Sequence, residues 1–191
     1  MRTRAASTWV QVSDIASKMK KYLLLAVAFL MVTATVLYGK KNERKESFKS
    51  WENYEIYTLK VGTPGTKYVK VWAYGKKEDD AIMQAKKNAV HACIFRGLPA
   101  NTGEGANATP ALVRDNSVLE NNLDYFEKFF APGGDWLAYI NVTSDGGKPS
   151  GPDKLKVKGG YKIALRVQVM YDNLKKKLED DGIIRSLNSG F

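Results

Sequence analysis

An uncharged hydrophobic run near the start of the sequence restricts what this chain can be. Residues 22–38 read YLLLAVAFLMVTATVLY and contain no charged side chain over 17 residues. Lysines flank the run on both sides, at positions 18, 20 and 21 and again at positions 40, 41 and 45. This length lies at the lower limit for a helix that crosses the ~30 Å hydrocarbon core of a bilayer.

Two interpretations of the run stay open, a cleaved signal peptide and an uncleaved membrane anchor. The segment from Met19 has the basic start, apolar centre and small-residue end of a bacterial signal peptide, and Val32-Thr33-Ala34 fits a signal-peptidase site. Basic residues are nearly balanced across the run, so the positive-inside rule does not orient an uncleaved helix. We favour cleavage, and both interpretations export the rest of the chain.

The length of 191 residues allows one folded domain after this segment. Translation starts at Met1 or at Met19. The predicted parts are residues 1–18, an upstream extension or cytoplasmic tail; residues 19–38, the signal peptide or membrane anchor; residues 39–53, a charged linker; and residues 54–191, a single α+β domain with a flexible loop near 99–114.

Net charge gives little support for a nucleic-acid partner. The whole chain carries a formal +10, of which residues 1–34 supply +4, and this leaves about +6 for the exported part. Much of that excess lies in residues 40–49, KKNERKESFK, which are typical of a solvated linker. A nucleic-acid-binding face would instead interleave basic with exposed aromatic side chains. We therefore expect no nucleic-acid partner.

Periodicity predicts a domain of alternating strands and helices. Residues 67–74, KYVKVWAY, alternate between a set that faces the core and a second set, Tyr68, Lys70, Trp72 and Tyr74, that faces away from it. Residues 54–61 form the partner strand of a β-hairpin. The other predicted elements are helices over 78–95, 116–130 and 171–182, strands over 136–142 and 160–170, and turn-rich segments between them.

This order predicts an α+β fold, in which an antiparallel sheet of about four strands is covered by helices on one face. The helix over 78–95 carries a narrow stripe of small residues, among them Ala81, Ala85 and Ala89. Such a stripe allows the helix to approach its sheet closely. The apolar residues after Gly182 predict that the C-terminal tail docks on the domain or on a partner.

Residues with catalytic chemistry are few. Cys93 is the single cysteine of the sequence and His91 is its single histidine. One cysteine excludes a disulfide within the chain and multi-cysteine metal sites. They lie about 200° apart on one helix and form no dyad. We expect Cys93 in the core and His91 at the surface or at its boundary. We therefore predict no catalytic, cofactor-binding or metal-binding residue, no cofactor and no small-molecule substrate.

Scattered carboxylates leave a hydrolase as a weaker hypothesis, since paired carboxylates perform general acid–base chemistry when their pKa values are separated. Two of them, Asp79 and Asp80, lie at the predicted start of a helix. Acidic side chains there accept hydrogen bonds from free backbone N–H groups and interact favourably with the helix dipole, so their presence needs no catalytic role. The candidate carboxylates are Asp79, Asp80, Glu120 and Asp124.

Three segments carry a resemblance to known proteins. They are Ala73-Tyr74-Gly75 at the end of a strand, the helix DDAIMQAKKNAVHA after it, and the strand–helix unit YKIALRVQVMYDNLKKKLE. Together they resemble the small α+β envelope modules typified by the N-terminal domains of the TolB and FlgT proteins. The resemblance covers residues 54–182 and is interrupted at residues 99–130 by a loop and a helix that those modules do not require. The resemblance implies a non-enzymatic part of an envelope assembly. No lipobox cysteine follows the hydrophobic run, so a lipid anchor is not expected.

The function predicted is an exported, non-enzymatic binding or assembly module of a Gram-negative cell envelope, in the periplasm or at the outer membrane. Its partners are envelope proteins or further copies of itself. The alternative is a subunit of a secretion or DNA-transfer machine, anchored in the inner membrane through residues 22–38. The candidate contact residues are Tyr68, Lys70, Trp72 and Tyr74, and a second aromatic group, for which we favour core packing, is Tyr125, Phe126, Phe129, Phe130 and Trp136.

Overall fold

The computed structural model describes residues 19–23, 54–60, 62–143 and 148–185. The chain divides into two units, residues 1–46 and residues 47–191, of which the second contains the folded domain. In the first unit, residues 19–23 are helical. No helix among the described residues is long and apolar enough to cross a membrane. Residues 24–38 lie outside the described residues, so the choice between signal peptide and anchor stays a prediction.

A five-stranded antiparallel sheet forms the centre of the domain, in the order β1-β2-β5-β3, with β4 also paired to β5. The long central pair joins residues 67–75 to residues 161–169 without interruption. The two short strands, β3 and β4, share the outer edge of β5 at its opposite ends. The strands are β1 (Ile56–Lys60), β2 (Lys67–Gly75), β3 (Ile140–Val142), β4 (Lys154–Val157) and β5 (Gly160–Val169).

Helices cover one face of this sheet, and the buried residues of three α-helices join those of the sheet in a single hydrophobic core. The remaining α-helix, Asn116–Asn121, contributes only the partly buried Val118 and Leu119. A π-helical turn, Ala92–Arg96, continues the first helix. Short 3₁₀ helices occupy Thr102–Glu104, Asp135–Tyr139 and Gly151–Asp153. The α-helices are α1 (Glu78–His91), α2 (Asn116–Asn121), α3 (Leu123–Phe129) and α4 (Tyr171–Asp180).

The alanine stripe of α1 packs on strands β2 and β5. Ala81, Ala85 and Ala89 are fully buried, as are Val69 and Val71 of β2. Side chains this small leave little distance between the helix backbone and the sheet, which fixes the position of α1 tightly. The predicted α+β class, with an antiparallel sheet and helices on one face, is confirmed.

Three boundaries predicted from periodicity differ from the structure. The sheet has a fifth strand, β4, which begins at the end of a segment predicted as turn and was not predicted, because KLKV is short and glycine and proline lie near it. The segment predicted as a strand over 136–142 is a 3₁₀ helix up to Tyr139 and a strand only from Ile140. The helix predicted over 116–130 is interrupted at Asn122, whose side-chain amide donates to the carbonyl of Val118.

The loop predicted near residues 99–114 covers the outer edge of β1. Two isolated bridges, Leu98 with Thr109 and Asn101 with Ala106, close its first part into a narrow turn. The Asn101 amide donates to the carbonyl of Thr58 at 2.7 Å, so this turn satisfies backbone groups of an edge strand. The flexibility of the loop stays a prediction.

At the C-terminal end of the chain, Ile183 is buried, and residues 186–191 lie outside the described residues.

Candidate functional site

The second face of the sheet is covered by none of the helices α1 to α4, and it holds all four candidate contact residues. The 3₁₀ helix Gly151–Asp153 reaches this face through Asp153. Tyr68, Lys70, Trp72 and Tyr74 alternate along β2 with buried core residues. The Tyr74 side chain is 58% exposed, and the other three are partly exposed. The strand period of two therefore brings these four side chains together on a surface that solvent reaches.

Strands β1 and β5 extend this surface with residues that the sequence analysis did not select. In β5, Lys162 is in register with Tyr74, and Arg166 is in register with Lys70. In β1, Tyr57 is in register with Lys70 on the other side and is 53% exposed. We define the open face as these residues: Tyr57, Lys60, Tyr68, Lys70, Trp72, Tyr74, Lys162 and Arg166.

Trp72 lies at the centre of the open face between two lysines. The Nζ atoms of Lys162 and Lys70 lie 4.9 Å and 5.4 Å from the centroid of its ring. Ala164, in register with Trp72, is only 2% exposed although its side chain is on this face, because it is small and larger neighbours cover it. Cation–π attraction of this kind holds the ammonium groups close to the ring.

The same arrangement recurs towards both ends of the open face. Lys162 Nζ also lies 5.5 Å from the ring of Tyr74, and Lys60 Nζ lies 5.2 Å from the ring of Tyr68. Basic and aromatic side chains therefore alternate across the open face, which is the arrangement that the sequence analysis expected of a nucleic-acid-binding face and did not detect. Lysines held in this way lose less side-chain freedom when a partner binds.

Two carboxylates of the chain pair with cations of the open face. Asp153 lies between Lys70 and Arg166, with N–O distances of 2.6 Å and 3.0 Å. Glu55 accepts a hydrogen bond from Lys162 at 2.7 Å, and this bond raises the pKa of the Lys162 ammonium group. The Arg166 side chain remains 52% exposed beside Asp153.

The structure corrects the prediction for His91 and confirms that for Cys93. His91 was expected at the surface or its boundary, yet it is 1% exposed. Its ring contacts Phe95 and Phe130, and its Nδ1 lies 3.1 Å from the hydroxyl of Tyr54. Phe95 lies on the helical turn that continues α1, but Tyr54 and Phe130 come from other segments, which a periodicity argument on one helix does not detect.

Burial shifts the pKa values of both side chains. Desolvation and, secondarily, the positive charge of Arg96 lower the pKa of His91 to about 4. Desolvation raises the pKa of Cys93 to about 12. His91 is therefore neutral at physiological pH and the Cys93 thiol is protonated.

The second aromatic group belongs to the core, as favoured from the sequence. Phe126, Phe129, Phe130 and Trp136 are each at most 2% exposed. The hydroxyl of Tyr125, at the edge of this group, donates to Asp181 at 2.5 Å. The rings of Phe126, Phe129, Phe130 and Trp136 are not accessible to a partner, whereas Tyr125 is partly exposed.

The four candidate carboxylates occupy three helices, with Asp79 and Asp80 together in the first turn of α1. Asp80 accepts a hydrogen bond from the backbone of Lys77 at 3.2 Å, and Asp79 pairs with Lys148 at 2.8 Å. Glu120 lies in α2 and Asp124 in α3. Across the described part of the chain, no three His, Cys, Asp or Glu side chains form a group that could hold a metal ion.

No protein family, curated protein or solved structure matches this chain. The resemblance to the N-terminal domains of the TolB and FlgT proteins therefore stays a prediction.

Proposed function

We propose that this protein is an exported, non-enzymatic binding or assembly module of a Gram-negative cell envelope, and that the open face is its contact surface. The observation that carries the proposal is the cluster of partly exposed aromatic rings on a sheet face that helices α1 to α4 leave uncovered. Tyrosine, tryptophan and arginine dominate binding energies at protein interfaces. The proposed partners are other envelope proteins or further copies of the chain.

The second candidate is a subunit of a secretion or DNA-transfer machine, anchored in the inner membrane through residues 22–38. This candidate uses the same open face and differs in whether the hydrophobic run is retained. The 17-residue uncharged run, at the lower limit of a membrane-spanning length, is compatible with it, whereas the small residues Val32 and Ala34 favour cleavage.

Determination of the mature N-terminus distinguishes these two candidates. We expect the protein isolated from envelopes to begin near Thr35, because Val32 and Ala34 fit the subsites of signal peptidase. Intact-mass spectrometry of the purified protein measures this directly. Recovery of a chain that still begins at Met1 or Met19 would reject cleavage and support the anchored subunit.

Substitution of the central ring tests the contact surface itself. We expect Trp72→Ala to leave the domain folded and to weaken its retention in an envelope complex roughly 30-fold, because truncation of an interface anchor costs about 2 kcal/mol. Co-purification from detergent-solubilised envelopes measures retention, and circular dichroism measures folding.

The matched control is Met83→Ala, which truncates a side chain that is 45% exposed on α1, away from the open face. Its retention should equal that of the wild type. If Trp72→Ala unfolds, Tyr74→Ala takes its place, because the Tyr74 side chain is mostly exposed. Unchanged retention of a folded Trp72→Ala or Tyr74→Ala variant would contradict the proposal.

A further inference from the structure

We infer that the open face takes an acidic polypeptide segment, whose carboxylates pair with Arg166 and Lys162 while its apolar side chains contact the rings of Trp72 and Tyr74. This inference rests on the proposed binding function and specifies the chemistry of the partner. It is carried by the charges of the open face and by the groups that already bind there.

Carboxylates of the chain itself identify the group that this surface accepts. Asp153, from the 3₁₀ turn before β4, binds Lys70 and Arg166 together. Glu55, next to β1, binds Lys162 beside Trp72. Lysine and arginine on this surface are therefore placed to pair with carboxylate oxygens, and Arg166 keeps half of its side chain available to another one.

The amount of charge favours a polypeptide over a nucleic acid. In the part of the chain that the structure describes, the open face has four cations, Lys60, Lys70, Lys162 and Arg166, against the carboxylates of Glu55 and Asp153. The excess is two positive charges. Nucleic-acid sites of high affinity neutralise about 6–10 phosphates. A segment with one to three carboxylates matches this excess, and tyrosine, tryptophan and arginine are enriched at protein interfaces.

The aromatic rings supply the apolar part of the same surface. Tyr57 and Tyr74 are each more than half exposed, and the Trp72 ring lies within 5.4 Å of the ammonium groups of Lys70 and Lys162. A partner that carries only charge would leave these rings in water, whereas one with apolar and acidic residues together would bury the rings and pair the cations. The inferred segment therefore alternates or clusters the two kinds of side chain.

A binding assay with defined polymers tests this inference. The probe is a fluorescent random copolymer of glutamate and tyrosine, titrated with the full-length protein in a neutral detergent, and anisotropy gives the affinity. We expect Lys162→Gln combined with Arg166→Gln to weaken binding about tenfold or more. The matched control, Lys158→Gln combined with Lys176→Gln, changes the net charge equally at two exposed sites away from the open face and should stay within about twofold of the wild type.

Further results separate this inference from its alternatives. Equal weakening by the two double variants would overturn it, as would tighter binding of a short oligothymidylate that depends on Lys162 and Arg166. If the double variant fails to fold, the copolymer affinity of Arg166→Gln alone is measured instead, because about half of that side chain is exposed to solvent. A third outcome is that Trp72→Ala releases the envelope complex while the affinity for the copolymer does not depend on Lys162 and Arg166. This outcome would reject the acidic partner and leave the open face as the contact surface.

Discussion

Gly75→Ala should destabilise the domain by about 3 kcal/mol or more, the largest effect that we expect from a single methyl group. Gly75 ends β2 directly before α1. A Cβ atom at this position would overlap the backbone nitrogen of Ala81 and lie 2.8 Å from its Cα. Ala81 is fully buried against the sheet, so α1 cannot move away without losing its packing.

A second glycine lies at the same junction of β2 and α1 and brings β5 close to it. A Cβ at Gly160, at the start of β5, would overlap the carbonyl oxygen of Gly75. The two glycines thus allow β5, β2 and the start of α1 to meet at backbone distance. Neither has a positive φ, so the expected cost comes from overlap and not from backbone conformation.

The matched control for Gly75→Ala is Gly103→Ala. A Cβ at Gly103 would have Asn101 Oδ1 as its nearest neighbour at 3.5 Å, an ordinary contact, and Gly103 is exposed. We expect a change within about 0.5 kcal/mol for this variant. Urea denaturation measures the free energy of unfolding of both variants. The dependence of this free energy on urea concentration should be the same as in the wild type. Equal urea midpoints for Gly75→Ala and the wild type would contradict the described junction of β2 and α1.

Acidification should remove about 3 kcal/mol of stability through His91 alone. The pKa of His91 is about 4 in the folded protein and 6.5 in its ordinary state. Between these values the unfolded chain binds the proton and the folded chain does not, so stability rises with pH. The contribution of His91 is therefore complete above about pH 6.5, decreases as the pH falls, and is lost below about pH 4.

His91→Asn provides the comparison, because asparagine keeps a polar group near the position of Nδ1 and does not titrate. This variant starts less stable, since the imidazole that packs against Phe95 and Phe130 is removed. Its free energy of unfolding should nevertheless fall less between pH 6.5 and pH 4 than that of the wild type. Carboxylates whose pKa values are lowered, such as those of Asp79 and Asp181, titrate in both proteins and cancel. Parallel pH profiles would show that His91 is not a buried neutral group.

The parts of the fold that the sequence predicted are those set by local patterns. Alternation along β2 assigned Val69 and Val71 to the core and Trp72 to the opposite face, because successive strand side chains point to opposite sides. The alanine stripe identified the buried side of α1 in the same way. Neither inference needed knowledge of what packs against the element.

The parts that the sequence did not predict depend on contacts between distant segments. His91 is buried because Tyr54 and Phe130, from distant segments, cover it together with Phe95 on the continuation of its own helix. Lys162 and Arg166 joined the candidate site only through the register of β5 against β2, which neither strand specifies alone.

The central claim, that the open face is the contact surface of an exported module, is tested most directly by photocrosslinking in intact cells. A photoreactive phenylalanine derivative is placed at Tyr74 in one strain and at Met83 in another, both exposed positions of the folded domain. After irradiation, we expect a discrete crosslinked species from position 74 and none from position 83. A crosslink from position 83 alone, or from neither position in cells that contain the folded protein, would contradict the claim.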